Sequence, residues 1–469
     1  MVSVVRPLSP TASLGSSPVS KKQKRDQRRD PGPETRVREV SDEEAAPVLS
    51  RVREIMGLPV ETEKKYAYEL EYNSKLVLAP MVRTGTLPTR LLSLYYGAGL
   101  VWSPEIVDRA IIGAKRVVDL IFQLGTSNPR LAAAAAKVVA QDVSGFDLNC
   151  GCPKPFSTHA GMGAALLSTP DLLLDILRRL IADLPLPVSC KIRILQTRPE
   201  TQLLAAQILR TGIRNLSVHA RTRDMRPREA AIWERVKAVV DLGKERGVNV
   251  ILNGDGEGYE NWKAMCEATG ASSAMLGRSA ERNPSVFAEE MVDAAAVIVP
   301  LLLYIGEWSD NAWGNTKFLL TQFKPSAAPV GKLNKQQRKE FNAVIARAKS
   351  FDEVAEGVKS AGIEIDMLNA KERGAQFCRD LEARLSQRPE WKRFKENEAA
   401  RDAAIAALQP QWDAEIAEIE KEREEKKARE MEEKAAAAEA AKAKKEAPKP
   451  DAEEQAALNG TTSAEVVKP

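Results

Sequence analysis

The sequence predicts an α/β fold, a parallel (β/α)8 TIM barrel followed by an all-helical domain. Three observations predict it. From Lys75 to Arg278, short apolar runs of strand length alternate with longer amphipathic stretches. There are eight such runs, the number that closes a barrel rather than building an open doubly wound sheet. Polar and special residues collect at one end of the runs, at Pro80 and Met81, Gln123, Asn149 and Cys152, Lys191, His219, Asn253, and Gly277 with Arg278. Such one-sided clustering gathers them at a single barrel mouth.

The strands read in order as KLVLAP, LVWSP, DLIFQLG, GFDLNC, VSCKIRI, NLSVHAR, NVILNGD and SSAMLGR. Between them RLAAAAAKVVAQD, DLLLDILRRLIADL, ETQLLAAQILRTG and WERVKAVVDLGKE repeat apolar residues at helical spacing. The barrel is therefore placed at 70–297. After Phe287 the period is helical in NAWGNTKFLLTQF, QQRKEFNAVIARAKSFDEVAEGVKSAG and ERGAQFCRDLEARL, which sets a separate helical domain at 298–392. Residues 1–48, rich in Ser, Pro and Arg and carrying KKQKRDQRR, read as a disordered basic tail. Its cluster suits a nuclear-localisation or RNA-contacting patch, and the lack of acids before Asp26 leaves a transit peptide open. Residues 393–469, mostly Ala, Glu and Lys, suit an exposed helix supported by i,i+4 ion pairs and then disorder. No apolar a/d seam persists there to make a coiled coil.

Composition narrows the class. The 469 residues carry a net charge of +4, which says little about partners because the basic segments lie at the ends and between motifs. Cys150, Cys152, Cys190, Cys266 and Cys378 are an odd number with no secretory signal, which argues for reduced thiols in the cytoplasm or nucleus. No run reaches the roughly 18 consecutive apolar residues of a membrane helix. A C-x-C spacing and only two histidines disfavour a zinc site. Neither a metal nor a membrane is expected, and a monomer is.

A conjugated ring cofactor at such a mouth needs hydrogen-bond partners along its pyrimidine edge, a cation where the reduced ring becomes anionic, and a phosphate cradle. Gln123 suits the first and Lys191 the second. Asn253-Gly254-Asp255 and Gly277-Arg278 follow the seventh and eighth strands, the usual phosphate position of this fold. Singly, each has an ordinary reading as a satisfied polar group, a surface charge or a turn; their order along successive strand ends favours a site. Cys152 lies in a Gly- and Pro-bounded loop. With an unperturbed pKa near ~8.5 a thiol is protonated at neutral pH, so it can give a proton to a carbon as hydride reaches the neighbouring carbon. Cys190 and Cys266 suit small buried apolar side chains better.

The stretch Gly145 to Leu167, GFDLNCGCPKPFSTHAGMGAALL, resembles the active-site loop of tRNA-dihydrouridine synthases, N-x-G-C-P followed by G-x-G-A-A-L. The resemblance runs from Leu78 to Phe287 and is nearest to the eukaryotic branch acting at tRNA position 20. It implies FMN held by Pro80, Met81, Val82, Gln123, Lys191, His219, Asn253, Gly254, Asp255, Gly277 and Arg278. It also implies reduction of that flavin by NADPH or NADH, hydride transfer to C6 of uracil, and protonation of C5 by Cys152, giving 5,6-dihydrouridine. Asn149, Arg193 and Arg221 are expected to face the base or nearby phosphates.

The implied partner is tRNA. A stacked uridine reaches a recessed thiol only when flipped out, so basic surface outside the pocket must hold the RNA. The helical domain and the RTRDMRPRE loop from Arg221 to Glu229 are the candidates. The resemblance departs after Asp119, which runs straight into Leu120 where the family carries a further segment. Two alternatives follow: a flavin barrel reductase or dehydrogenase acting on a free pyrimidine, and a catalytically impaired tRNA-binding protein with a shortened barrel.

Overall fold

Every predicted barrel run contains a strand in the computed structural model, which describes residues 37–66, 69–107, 121–323 and 333–446. The strands are β1 (Leu76–Leu78), β2 (Leu100–Val101), β3 (Ile106–Val107), β4 (Ile121–Gly125), β5 (Gly145–Cys150), β6 (Val188–Arg193), β7 (Asn215–His219), β8 (Asn249–Asn253) and β9 (Ser273–Leu276). Their order in the sheet is β2-β1-β9-β8-β7-β6-β5-β4-β3, and each pairing is parallel. A parallel bridge from Trp102 to Ile121 links the end of β2 to β4 and closes the ring. Beside it the Ser103 N–H donates to the Ile121 carbonyl at 2.9 Å. β2 and β3 are thus the two ends of one strand interrupted at Pro104, which has no N–H for a ladder. The eight-strand reading holds, with its second strand broken. The departure after Asp119 falls in 108–120, outside the described residues.

The crossovers are helical where the periodicity places them. They are α2 (Leu87–Tyr95), α3 (Pro129–Val139), α4 (Pro170–Asp183), α5 (Arg198–Arg210), α6 (Lys237–Glu245) and α7 (Tyr259–Thr269), preceded by α1 (Asp42–Gly57). Capping fixes several starts: the Asn128 side chain accepts from the N–H groups of Arg130 and Leu131 at the head of α3, and Thr197 with Glu200 forms a capping box on α5.

α1 corrects the boundary of the expected disordered tail. Residues 42–48 are helical, started by a Ser41–Glu44 capping box. Val52, Ile55 and Met56 of this helix bury against Ala206 of α5, with Leu203 and Leu242 alongside. The SDEE signal was present in the sequence; the Pro47 and Arg-rich surroundings masked it. Residues 1–36 lie outside the described residues.

The chain divides into two compact units, 1–409 and 410–469. In the first, α8 (Val299–Trp308), α9 (Trp313–Gln322), α10 (Lys335–Arg347) and α11 (Ala370–Leu385) share an apolar core that includes Leu92 of α2. α8 and α11 approach so closely that a Cβ on Gly374 would stand 2.5 Å from the Tyr304 carbonyl oxygen. The expected boundary at 392/393 falls inside one helix, α12 (Pro389–Glu446), whose Glu, Lys and Ala content keeps it helical through that point. The rest of the charged tail, 447–469, lies outside the described residues.

Trp102 is fully buried and packs with Tyr72, Val77, Ala79, Ile121, Ile251 and Met275 inside the barrel. Trp102→Ala should therefore lower stability by about 3 to 5 kcal/mol. The check is urea unfolding, where a lower midpoint at unchanged slope is expected.

Candidate active site

The strand ends open on a cleft of about 680 Å³, within the ~300–1,000 Å³ usual for bound ligands. All the residues singled out from the sequence line it. Pro80, Met81 and Val82 follow β1, Gln123 is on β4, and Asn149 and Cys152 end and follow β5. Lys191 and Arg193 are on β6, His219 and Arg221 end and follow β7, and Asn253, Gly254 and Asp255 end and follow β8. Gly277 and Arg278 follow β9.

The floor is built around a carboxylate that the sequence reading passed over. Asp147 is fully buried on β5. Its oxygens accept from Gln123 Nε2 at 2.7 Å and Ser189 Oγ at 2.6 Å. Burial raises its carboxyl above the usual range, opposed by those hydrogen bonds and by the Lys191 charge. Gln123, 1% exposed, accepts at Oε1 from Asn149 Nδ2 at 3.0 Å. Asn149 Oδ1 in turn accepts the N–H groups of Gly151 and Cys152 at 2.9 and 3.0 Å. Both ends of the Asn149 amide are thus engaged within the protein. Asn149 anchors the thiol loop while lining the cleft, and its Nδ2 keeps one N–H beyond Gln123. Gln123 keeps one N–H and one oxygen lone pair beyond its two partners.

Cys152 is half-buried at the head of that loop. Its thiol is pushed up to about 11, first by burial and then by the charge of Glu105. Cys150 is fully buried in the wall, with its Sγ 3.7 Å from Cys190 Sγ. Cys266 is only half-buried, because it sits on a helix flank and not in the barrel.

Cations crowd the opposite side. Lys191 Nζ donates to Asn253 Oδ1 at 3.0 Å, and Asn253 is oriented by donating to the Met275 carbonyl at 2.8 Å. Burial and the nearby Arg193 charge bring Lys191 down to about 8, although Asp147 and Cys152 pull the other way. Arg193 Nε donates to the Gly151 carbonyl at 2.6 Å and Nη1 to that of Thr222 at 3.1 Å. Arg221 pairs with Asp255, donates to the Glu229 carbonyl at 2.7 Å, and lies 3.3 Å from His219 Nε2. Asp255 also takes Arg278 at 2.6 Å. Burial alone would raise the Asp255 carboxyl, but its bonds to Arg221 and the Ala231 N–H, with the two guanidinium charges, hold it low. Arg193 and Arg221, expected to face substrate, are both tied into the wall by their side-chain nitrogens.

The donor set suits a flavin-sized ring with a phosphate tail. It offers a polar edge at Gln123, an ammonium at Lys191, and a turn at Gly254 with a φ of +132° followed by Arg278, whose side chain is 44% exposed. Glu105, Ser157 and Asp147 are the site residues missed. Glu105 follows a strand end like the others, and a lone acid inside the apolar GFDLNC strand signals a buried partner.

A closed parallel barrel that gathers a thiol, a lysine and a paired arginine cluster at the C-terminal ends of its strands has the layout of a barrel enzyme. The family model described as Dihydrouridine synthase (Dus) matches residues 77–300. Over 330 residues the chain is 37% identical to a tRNA-dihydrouridine(20) synthase [NAD(P)+] of Saccharomyces cerevisiae, covering 61% of this chain and 83% of that one. The protein of the same name in Schizosaccharomyces pombe is 41% identical over 287 residues, covering 54% of this chain and 60% of its own length. A human tRNA-dihydrouridine(20a/20b) synthase [NAD(P)+]-like protein is 30% identical over 241 residues, 48% of this chain and 75% of that one. The chain belongs to the dihydrouridine synthase family. Among the described residues no cluster of three or more His, Cys, Asp or Glu is placed to hold a metal, and no helix is long and apolar enough to cross a membrane.

Burial, followed by the charges of Arg193, Lys191, Arg221 and Arg278, drives His219 well below the ordinary histidine value. Its imidazole should stay neutral through the range in which an ordinary histidine takes up its proton. Since the folded state resists the proton that the unfolded chain accepts near ~6.5, stability should fall as pH drops through that value. With two histidines in the chain, ring NMR signals assigned by His219→Ala check this directly. A His219 titration midpoint between 6 and 7 would contradict it.

Proposed function

We propose that the chain reduces a uridine of tRNA, at position 20 of the D-loop, to 5,6-dihydrouridine, with FMN as the bound flavin and NADPH or NADH as electron source. The observation that carries this is the half-buried Cys152 thiol in the same cleft as Gln123 and Lys191, in a chain of this family. FMN, when bound, supplies the hydride for uracil C6. Gln123 would meet the ring edge, Lys191 would supply a positive charge, Gly254, Gly277 and Arg278 would receive the phosphate, and His219, Pro80, Met81 and Val82 would complete the wall that holds the flavin. Asn149 and Arg193 hold the Gly151–Cys152 turn, so the sulfur stands at the mouth where a flipped base enters. Cys152 gives its proton to C5, and the thiolate regains one from water. One hydride and one proton thus add across C5=C6.

The helical segment from 298 and the Arg221 to Glu229 loop supply basic surface for the RNA. Phosphate contacts release counterions, so tRNA affinity should fall steeply between low and physiological salt. Filter binding across that range measures it, and a flat response removes the phosphate-contact model.

Mass mapping of dihydrouridine in tRNA incubated with the purified chain and NADPH tests the activity. Cys152→Ala should keep its yellow colour and its reduction by NADPH while forming product slower by roughly 10² to 10⁴. Cys150→Ala, altering only the wall, should leave the rate nearly unchanged. Turnover of free uracil with tRNA untouched would favour the free-pyrimidine reductase. A colourless protein that binds tRNA would favour the impaired binder.

A further inference from the structure

Glu105 stands on the bend between β2 and β3, and its carboxylate is placed from several sides. Ser157 donates its hydroxyl to Oε1 at 2.9 Å. Gly125 at the end of β4 leaves room for it, since a Cβ there would lie 2.8 Å from the same oxygen. Oε2 is buried with no hydrogen-bond partner among the described residues, and Glu105 and Cys152 line the same cleft. The loop that brings these groups together closes on Gly163, whose φ is +59°. A Cβ at that glycine would stand 2.7 Å from the Cys152 carbonyl oxygen and 3.1 Å from its Cβ. The Ala164 N–H seals the turn by donating to the Cys152 carbonyl at 2.9 Å.

We propose that Glu105 is a positioning residue for Cys152: its carboxylate, held by Ser157 of the thiol loop, offers the buried Oε2 as the acceptor for the thiol proton and so keeps that proton on the sulfur between turnovers. This rests on the reading of Cys152 as proton donor. Once the proton has gone to carbon, a thiolate is left against a carboxylate. That like-charge pair is unfavourable, so the sulfur recovers a proton from water before the next substrate arrives. Opposing charges face the thiol from Lys191 and Arg193 on β6, and the Lys154 backbone and the Ser157 side chain also favour the thiolate. Burial and Glu105 outweigh them. The arrangement also guards a solvent-reachable sulfur, because it is the thiolate that reacts with oxidants and electrophiles.

Alkylation of Cys152 by iodoacetamide, read by peptide mass spectrometry across pH on the purified full chain, tests this without tRNA or NADPH. Glu105→Gln should lower the alkylation midpoint by about one to two pH units, making the reaction roughly 10- to 100-fold faster near about pH 8. Glu105→Asp keeps the charge on a shorter stem and should give an intermediate midpoint; it decides the matter if the Gln variant does not fold. An unchanged midpoint in a folded Gln variant, or in the Asp variant if only that one folds, overturns the role of Glu105 and leaves the proton-donor reading standing. Dihydrouridine formed at the parent rate by Cys152→Ala ends that reading instead, whatever the alkylation shows.

Discussion

The site depends on a carboxylate held away from water in the barrel wall. Asp147 is fully buried, and an uncompensated charge there would be costly, so the neighbouring strands supply partners. Gln123 reaches it from β4, Ser189 from β6, and the Lys191 ammonium balances it. The chain of bonds continues outward through Gln123 to Asn149 and from Asn149 to the N–H groups of Gly151 and Cys152. The thiol loop therefore inherits its position from buried hydrogen bonds in the barrel wall. A defect at the floor would be felt at the sulfur some hydrogen bonds away.

The cationic side follows the opposite logic. Lys191, Arg193, Arg221 and Arg278 repel one another, and the barrel tolerates them because backbone carbonyls and Asp255 absorb their donors. Burial first, and then this crowding, hold His219 well below the ordinary histidine value. The crowding also gives the cleft a standing preference for anionic groups, which suits a phosphate-bearing ligand.

Much of this was legible in the sequence because strand ends in a parallel barrel converge on one mouth. Position alone thus predicted that Gln123, Lys191, His219 and Asn253 would meet. Side-chain direction was not legible. Asn149, Arg193 and Arg221 carry the right chemistry for substrate, yet their atoms are committed to the loop and wall, a choice set by three-dimensional proximity. Glu105 and Ser157 were hidden for the same reason. They are 52 residues apart, and although Glu105 follows a strand end, nothing local to either residue shows that the two meet. The second strand was read as ending at Pro104, and its continuation past the proline at Ile106–Val107 shows only in the pairing of β3 with β4. α1 was missed because the composition of the basic tail outweighed a four-residue cap signal.

The helices after the barrel do not own their core outright. Leu92, from the first barrel crossover, is buried among their side chains, and Leu91, Leu94, Tyr95 and Tyr96 pack around it. Arg388 donates to the carbonyls of Leu94 and Ala98, and the Arg384 guanidinium stacks 3.9 Å over the Tyr95 ring. The barrel and the segment that follows it are therefore poor candidates for modular exchange. A graft of either onto a relative would carry half of a seam whose other half is written elsewhere in the chain. Divergence at α2 should track divergence between 299 and 388, so that the two stretches drift together although one lies far upstream of the other.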